Sequence, residues 1–247
     1  MRLKLIGCEV LYRELCATVA RSPHQVDIEF LNKGLHDLGS KTMLARLQTA
    51  VDAVDGALYE TILLGYGLCG NGVVGLEARG LPVVLPRAHD CITLFLGDKD
   101  RYLDYFQKHP GVYFMTTGWV ERGEDPGSRP QLSLQQGYGT SREELAARYG
   151  EDNADFLLEV FTRYQVAYRQ FTFIEMGLEP DDRFERCAIE EAARRGWKYE
   201  KVQGSMSLIE ALVNGEWDER RFLTVPPGHR IVARYDEHII AAEKVES

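Results

Sequence analysis

Nowhere does this chain approach the run of roughly 18 apolar residues that a membrane-spanning helix needs. Its N-terminus, MRLKLIGCEV, passes directly into strand-like sequence with Glu9 close behind, and no signal-peptide pattern precedes it. The chain therefore reads as soluble and cytoplasmic, with no membrane partner. Positive charge is in short supply: 29 Lys and Arg stand against 38 Asp and Glu, a net charge of −9. That balance gives no general attraction to a polyanion and argues against nucleic acid as a partner. Cysteine is sparse and odd in number, five in irregular spacing, which excludes a disulfide framework and leaves reduced thiols. The chain has no CxxC pairs, so a structural zinc ribbon is excluded too. The glycine-rich stretch GYGLCGNG lacks the GK[ST] ending of a phosphate loop, and the GxGxxG spacing of Gly65, Gly67 and Gly70 is by itself a weak dinucleotide signal. Neither an NTPase nor a dinucleotide enzyme is expected. Internal repeats and low-complexity tracts are also missing.

What is present is a core and a regular pattern. Hydrophobic residues make up 45% of the 247, ample for one large domain or two small ones. Short β-branched apolar runs alternate with stretches of helical period, which predicts an α/β fold of mostly parallel sheet flanked by helices, Rossmann-like, with two unequal lobes as one way to arrange it. Strands are expected at Leu3 to Gly7, Val26 to Leu31, Thr61 to Gly65, Leu81 to Pro86 and Val112 to Thr116. TMLARLQTAVDAVDG is the clearest helix, with Met43, Leu44, Leu47, Val51 and Val54 at three- and four-residue spacing and Gly56 as its stop. CITLFLGDKDRYLDYFQKHPG reads as a second helix ended by Pro110-Gly111. The polar, Gly- and Pro-rich residues 121–140 read as a loop or lid dividing an N-terminal lobe, 1–120, from a C-terminal lobe, 141–247. Within the latter, a helical run from Ser141, the strand FTFIEMG, a helix over Asp181 to Arg195, the strand KYEKVQG, the short helix SLIEALVNG and a strand pair around PPGH are expected.

The unusual residues fall where strands end. Cys8 follows the first strand, His36 the second, Cys69 the third, and His89 with Cys91 the fourth. In an open parallel sheet the ligand crevice lies beyond those carboxyl ends. Cys16 and Cys187, by contrast, sit inside amphipathic helices and read as packing. Three thiols and an imidazole are the donors that select Zn²⁺ or another borderline-soft ion, and three ligands from dispersed segments leave a fourth position open, the pattern of a catalytic metal site. Cys8, Cys69 and Cys91 are thus the expected ligands. His89, two residues from Cys91 and pointing the other way along an extended backbone, is expected as a proton carrier or alternative ligand, with His36 nearby. Gly65, Gly67, Gly70 and Gly72 are expected to permit positive φ and close approach, and Gly-Asn-Gly to present N–H groups at a helix N-terminus. Tyr66, Gly70, Asn71, Gly72, Arg87 and Trp119 complete the expected substrate pocket, Arg87 as a fork for a carboxylate or phosphate.

Taken together, IGCEV, GLHDLG, YGLCGNGVVGL, PRAHDCITLFLG, TTGWVE and the late FLTVPPGHRI resemble domain-of-unknown-function family 1638 of bacteria and archaea over nearly the whole chain. The resemblance implies a setting like that of corrinoid-dependent methyl-transfer systems, with a corrinoid or methyltransferase protein as partner. A corrinoid is not excluded as cofactor, although the DxHxxG run of a cobalt-ligating loop is missing.

Three functions follow as expectations. The first is a metal-dependent enzyme of small-molecule metabolism, transferring methyl or sulfur to or from a thiol at one zinc or iron ion. The second is a non-catalytic protein that delivers a metal or cofactor. The third is a metal-free enzyme with Cys69 as nucleophile and His89 as base.

Overall fold

In a computed structural model of the protein, residues 1–122, 142, 146 and 168–246 are described, without the side chains of 36–38. The expected loop at 121–140 lies outside these residues from 123 onward, as does nearly all of the expected helical run from Ser141. Contacts divide the chain into two compact units, one of residues 1–104, 176–178 and 203–247, the other of residues 105–175 and 179–202. Residues 203–247, expected from chain order in a C-terminal lobe, therefore pack with the N-terminal strands.

The first unit is mixed α/β. Its main sheet uses β1 (Arg2–Cys8), β2 (Gln25–Leu31), β3 (Thr61–Gly65), β5 (Val83–Pro86) and β9 (Phe222–Val225) in the order β2-β1-β3-β5-β9. The first four are parallel and β9 closes the edge antiparallel to β5. Alternation along these strands separates two faces. Ile6, Ile62, Leu64, Val83 and Leu85 share a core with Met43, Leu47 and Val51 of α2 (Ser40–Asp52). Helix α1 (Tyr12–Val19) and helix α7 (Ser207–Val213) pack together, α7 also meeting β3 and β5. A small antiparallel sheet of β4 (Glu77–Ala78), β10 (His229–Ala233) and β11 (Ile240–Lys244) contributes Ile231 and Ile240 to the same core.

Two sequence expectations change here. The run from Cys91 is two helices, α3 (Cys91–Leu96) and α4 (Lys99–Lys108), because Gly97 takes a left-handed φ of 78° and caps α3. The PPGH turn does not join a strand pair: β9 and β10 flank it but hydrogen-bond in different sheets.

In the second unit β6 (Val112–Met115), β7 (Gln170–Glu175) and β8 (Lys198–Gln203) form a sheet in the order β6-β7-β8, with β6 and β7 parallel. Phe171 and Phe173 pack with Phe184, Ala188 and Ala192 of α6 (Arg183–Arg195). Trp119, expected in the substrate pocket, lies on the short helix α5 (Thr117–Glu121) of this unit, whose start Thr116 caps by accepting from Trp119 N–H at 3.4 Å. Among the described residues no helix is long and apolar enough to cross a membrane.

Candidate functional site

The strand order places β1 between β2 and β3, so the chain leaves β1 toward one side and returns on the other. Loops leaving the carboxyl ends of β1 and β3 consequently diverge, and Cys8 and the segment Tyr66 to Cys69 stand at that parting. The loop after β5 comes up against them. Leu68 N–H donates to Ala88 O at 2.8 Å and Cys69 N–H to His89 O at 2.9 Å. Gly67 makes this approach possible, since a Cβ there would lie 2.8 Å from both the Cα and the N of Asp90. Of the four glycines expected to adopt positive φ, only Gly70 does so, at 62°. The left-handed conformation falls instead on Cys69 (φ 47°), Gly70 and Asn71 (φ 70°), three in succession, closed by Gly72 N–H donating to Leu68 O at 2.9 Å. Left-handed backbone costs an L-residue with a side chain about 1–2 kcal/mol, and such positions concentrate at functional sites. No helix follows this turn, so the expected helix N-terminus at Gly-Asn-Gly is replaced by a chain of turns through Gly75.

The three thiols converge. Cys69 feels the charge of Cys8, and Cys91 that of both Cys69 and Cys8, while the backbone N–H of Cys91 meets the Cys69 sulfur. Each residue keeps part of its surface open to solvent. Protein nevertheless surrounds the sulfurs densely, and burial pushes the Cys8 and Cys69 thiols from 9.0 up to about 12, with Cys91 well above its ordinary value. For Cys69 the nearby Asp90 adds to the rise. The Tyr66 hydroxyl, pushed far up by burial and by Cys8, comes against the Cys8 sulfur without reaching hydrogen-bond geometry. Among the described residues, no group of three or more His, Cys, Asp or Glu side chains is gathered closely enough to hold a metal ion.

Asp90 and Tyr102 brace the cluster from beneath. Asp90 Oδ1 accepts from the N–H groups of Ile92 and Thr93 at 3.0 and 3.3 Å, capping α3, and its Oδ2 accepts from the Tyr102 hydroxyl at 3.1 Å. Burial raises the Asp90 carboxyl in spite of these donors. The His89 ring stacks on Tyr102 with centroids 6.0 Å apart, which places it beside the cluster with part of its surface exposed. Sequence reasoning missed Tyr102. The available signal was Gly97, whose left-handed cap ends α3 ahead of the helix that carries Tyr102.

Arg87 is occupied otherwise than expected. Its Nε donates to Glu219 O at 2.8 Å and Phe222 O at 3.2 Å, and its Nη1 to His238 O at 2.9 Å and to Ile240 O. The guanidinium thus ties backbone carbonyls of the C-terminal strands to the end of β5. For His36 only the backbone is described, in a short 3₁₀ turn over Lys33–Leu38.

Residues 30–213 match the family described as Protein of unknown function (DUF1638). The chain belongs to this family. The span shared with the family takes in Tyr66, Cys69, His89, Asp90 and Cys91 and begins after Cys8. No curated protein and no solved structure matches the chain.

The elevated thiols make a pH prediction with a definite sign. A thiol that holds its proton in the native state to about 12, and loses it near 9.0 when unfolded, leaves the folded chain with more bound protons between those values. Stability is therefore fully retained below pH 9 and falls as pH rises toward 12. In chelator, the melting temperature of the wild type is expected to drop more steeply between pH 8.5 and 10.5 than that of a Cys8→Ala, Cys69→Ala double variant. Equal slopes would show that the thiols are not shielded.

Proposed function

We propose that the protein is a metal-dependent enzyme of small-molecule metabolism in which Cys8, Cys69 and Cys91 hold one transition ion, zinc or iron, and leave a position open for substrate. One observation carries the reading: three thiols from three different strand ends lie within electrostatic reach of one another, beside a buried phenol with nothing to bond. The left-handed Cys69 adds support, because glycine would hold that turn with less strain. The donors suit a borderline-soft ion in chemistry, and binding has to draw them closer than they stand. Such an ion would displace the thiol protons and offset the effect of burial. When bound, it would lower the pKa of a substrate thiol and hold the sulfur as a nucleophile, which suits methyl or sulfur transfer, including exchange with a corrinoid protein. His89, on the rim, is the group placed to take up a substrate proton. We read the strand order as Rossmann-like, with the site at the point where the order reverses.

The metal-free reading fares worse. An activated cysteine needs a lowered pKa, and burial moves Cys69 the opposite way, up to about 12.

The test is the metal content of anaerobically purified protein, wild type beside Cys69→Ser, with thiol titration before and after chelation. About one equivalent of zinc or iron is expected, lost in the variant. Metal-free wild type with a rapidly alkylated Cys69 would overturn the proposal and favour the nucleophile. Bound metal that admits neither exchangeable water nor a thiol would instead identify a delivery protein.

A further inference from the structure

The hairpin between β10 and β11 holds a conformation that its sequence does not favour. Ile239, β-branched and 2% exposed, has a left-handed φ of 65°. Such a residue is an outlier there, and it persists only where its surroundings over-determine it. Two cations do so here. Arg87 donates to the carbonyls on either side, His238 O and Ile240 O, and Lys99 Nζ donates to Glu237 O at 2.6 Å. The same guanidinium holds Glu219 O at 2.8 Å. The backbone beneath two acidic residues, Glu219 and Glu237, is thereby fixed.

What the strained hairpin forms is one wall of an open cavity of about 450 Å³. Glu237 and His238 line it from the hairpin, Glu219 and Arg220 from the turn before β9, and Lys99 and Asp100 from the start of α4. All six belong to the first unit. Arg220 is paired with Asp100 at 3.2 Å. Among the described residues the Glu219 carboxylate accepts no hydrogen bond, and Glu237 has only the His238 ring at 3.9 Å. Lys99, with one of its three N–H groups on Glu237 O, keeps two for another acceptor.

We propose that this cavity binds a small zwitterion of the amino-acid class, its ammonium taken by Glu219 and Glu237 and its carboxylate by Lys99 and Arg220. A ligand with a single charge meets repulsion as well as attraction among these groups, whereas one that carries both signs finds a partner for each. Carboxylates whose backbone is already held in place need little further ordering on binding. The cavity also falls within the size range of small-molecule sites. This site is independent of the thiol cluster and of the metal reading.

The test is calorimetric titration of the full-length protein with glycine, L-alanine, L-glutamate and L-lysine, beside methylamine and acetate, which carry one charge each. At least one amino acid is expected to bind at a single site, and methylamine and acetate about tenfold more weakly at best. Glu219→Gln, Glu237→Gln and Arg220→Gln, all at exposed positions, are each expected to weaken that binding about tenfold. Glu243→Gln makes the same charge change outside the cavity and is expected to leave it unaltered. Unchanged melting temperatures for the four variants would assign the losses to the ligand. If none of the four amino acids binds, or if the three cavity variants bind as tightly as wild type, the proposal is overturned. Methylamine or acetate bound as tightly as the amino acid would also overturn it, since the cavity would then be a site for a simple ion.

Discussion

Gly67→Ala is expected to destabilise the first unit by about 3 kcal/mol, the sum of an overpacking term and two weakened hydrogen bonds. The added Cβ would meet three backbone atoms of Asp90 at 2.8–2.9 Å, and backbone cannot rotate away as a flexible side chain can. The loops after β3 and β5 would have to separate, stretching the bonds from Leu68 to Ala88 and from Cys69 to His89. Separation would also carry Cys69 away from the Cys91 N–H. Gly70→Ala provides the comparison: it has φ +62° but nothing within 4 Å of its Cβ, so only the conformational cost of about 1 kcal/mol applies. Urea unfolding of the two variants tests this. If Gly67→Ala is no worse than Gly70→Ala, the two loops are not in contact as described.

Arg87→Met should also be costly, about 3 kcal/mol, because hydrogen bonds to a charged group are worth more than neutral ones and each lost donor leaves a carbonyl unmet. Phe222 and Ile240, whose carbonyls it holds, are both buried. Methionine keeps most of the side-chain volume and removes the fork, so the loss reports on hydrogen bonding. A surface arginine waiting for an anionic substrate would give the opposite result, with unfolding midpoint unchanged and only ligand affinity lost. Measuring the midpoint in the absence of any ligand therefore separates a brace from a clamp.

Much of the sheet was legible because its central strands β3 and β5 are buried throughout. Thr61–Gly65 is buried throughout and occupies the span its apolar run marks out. The positions of Cys8, Cys69 and Cys91 beyond strand ends were likewise readable, since chain order puts them there whatever the side chains do. Non-local pairing was not readable. Nothing in FLTV says that it will lie antiparallel to VVLP, and nothing in a lone Arg87 says that four carbonyls from residues 219–240 will surround it. Glycine conformation failed for a related reason. Gly65 and Gly67 are needed for what presses against them, Leu15 and Asp90, while the left-handed conformation falls also on Asn71, which tolerates it, and on Cys69, which local preference would have spared.

The place of β9, β10 and β11 also governs how the chain comes into being. The core beneath Cys8 and Cys69 joins Ile6 and Ile62 to Leu223, Ile231 and Ile240, with residues 105–175 and 179–202 of the second unit translated in between. Contacts so distant in sequence form slowly, because the intervening chain must be closed into a loop before they stabilise anything. On the ribosome the β5 edge, with Val83 and Leu85, stays unpaired until residues 222–225 emerge, and open edges of that kind invite association with other nascent chains. Cys8 and Cys69 are synthesised long before Leu223, Ile231 and Ile240 complete their apolar backing, and over that interval they stand open to oxidants and stray metal.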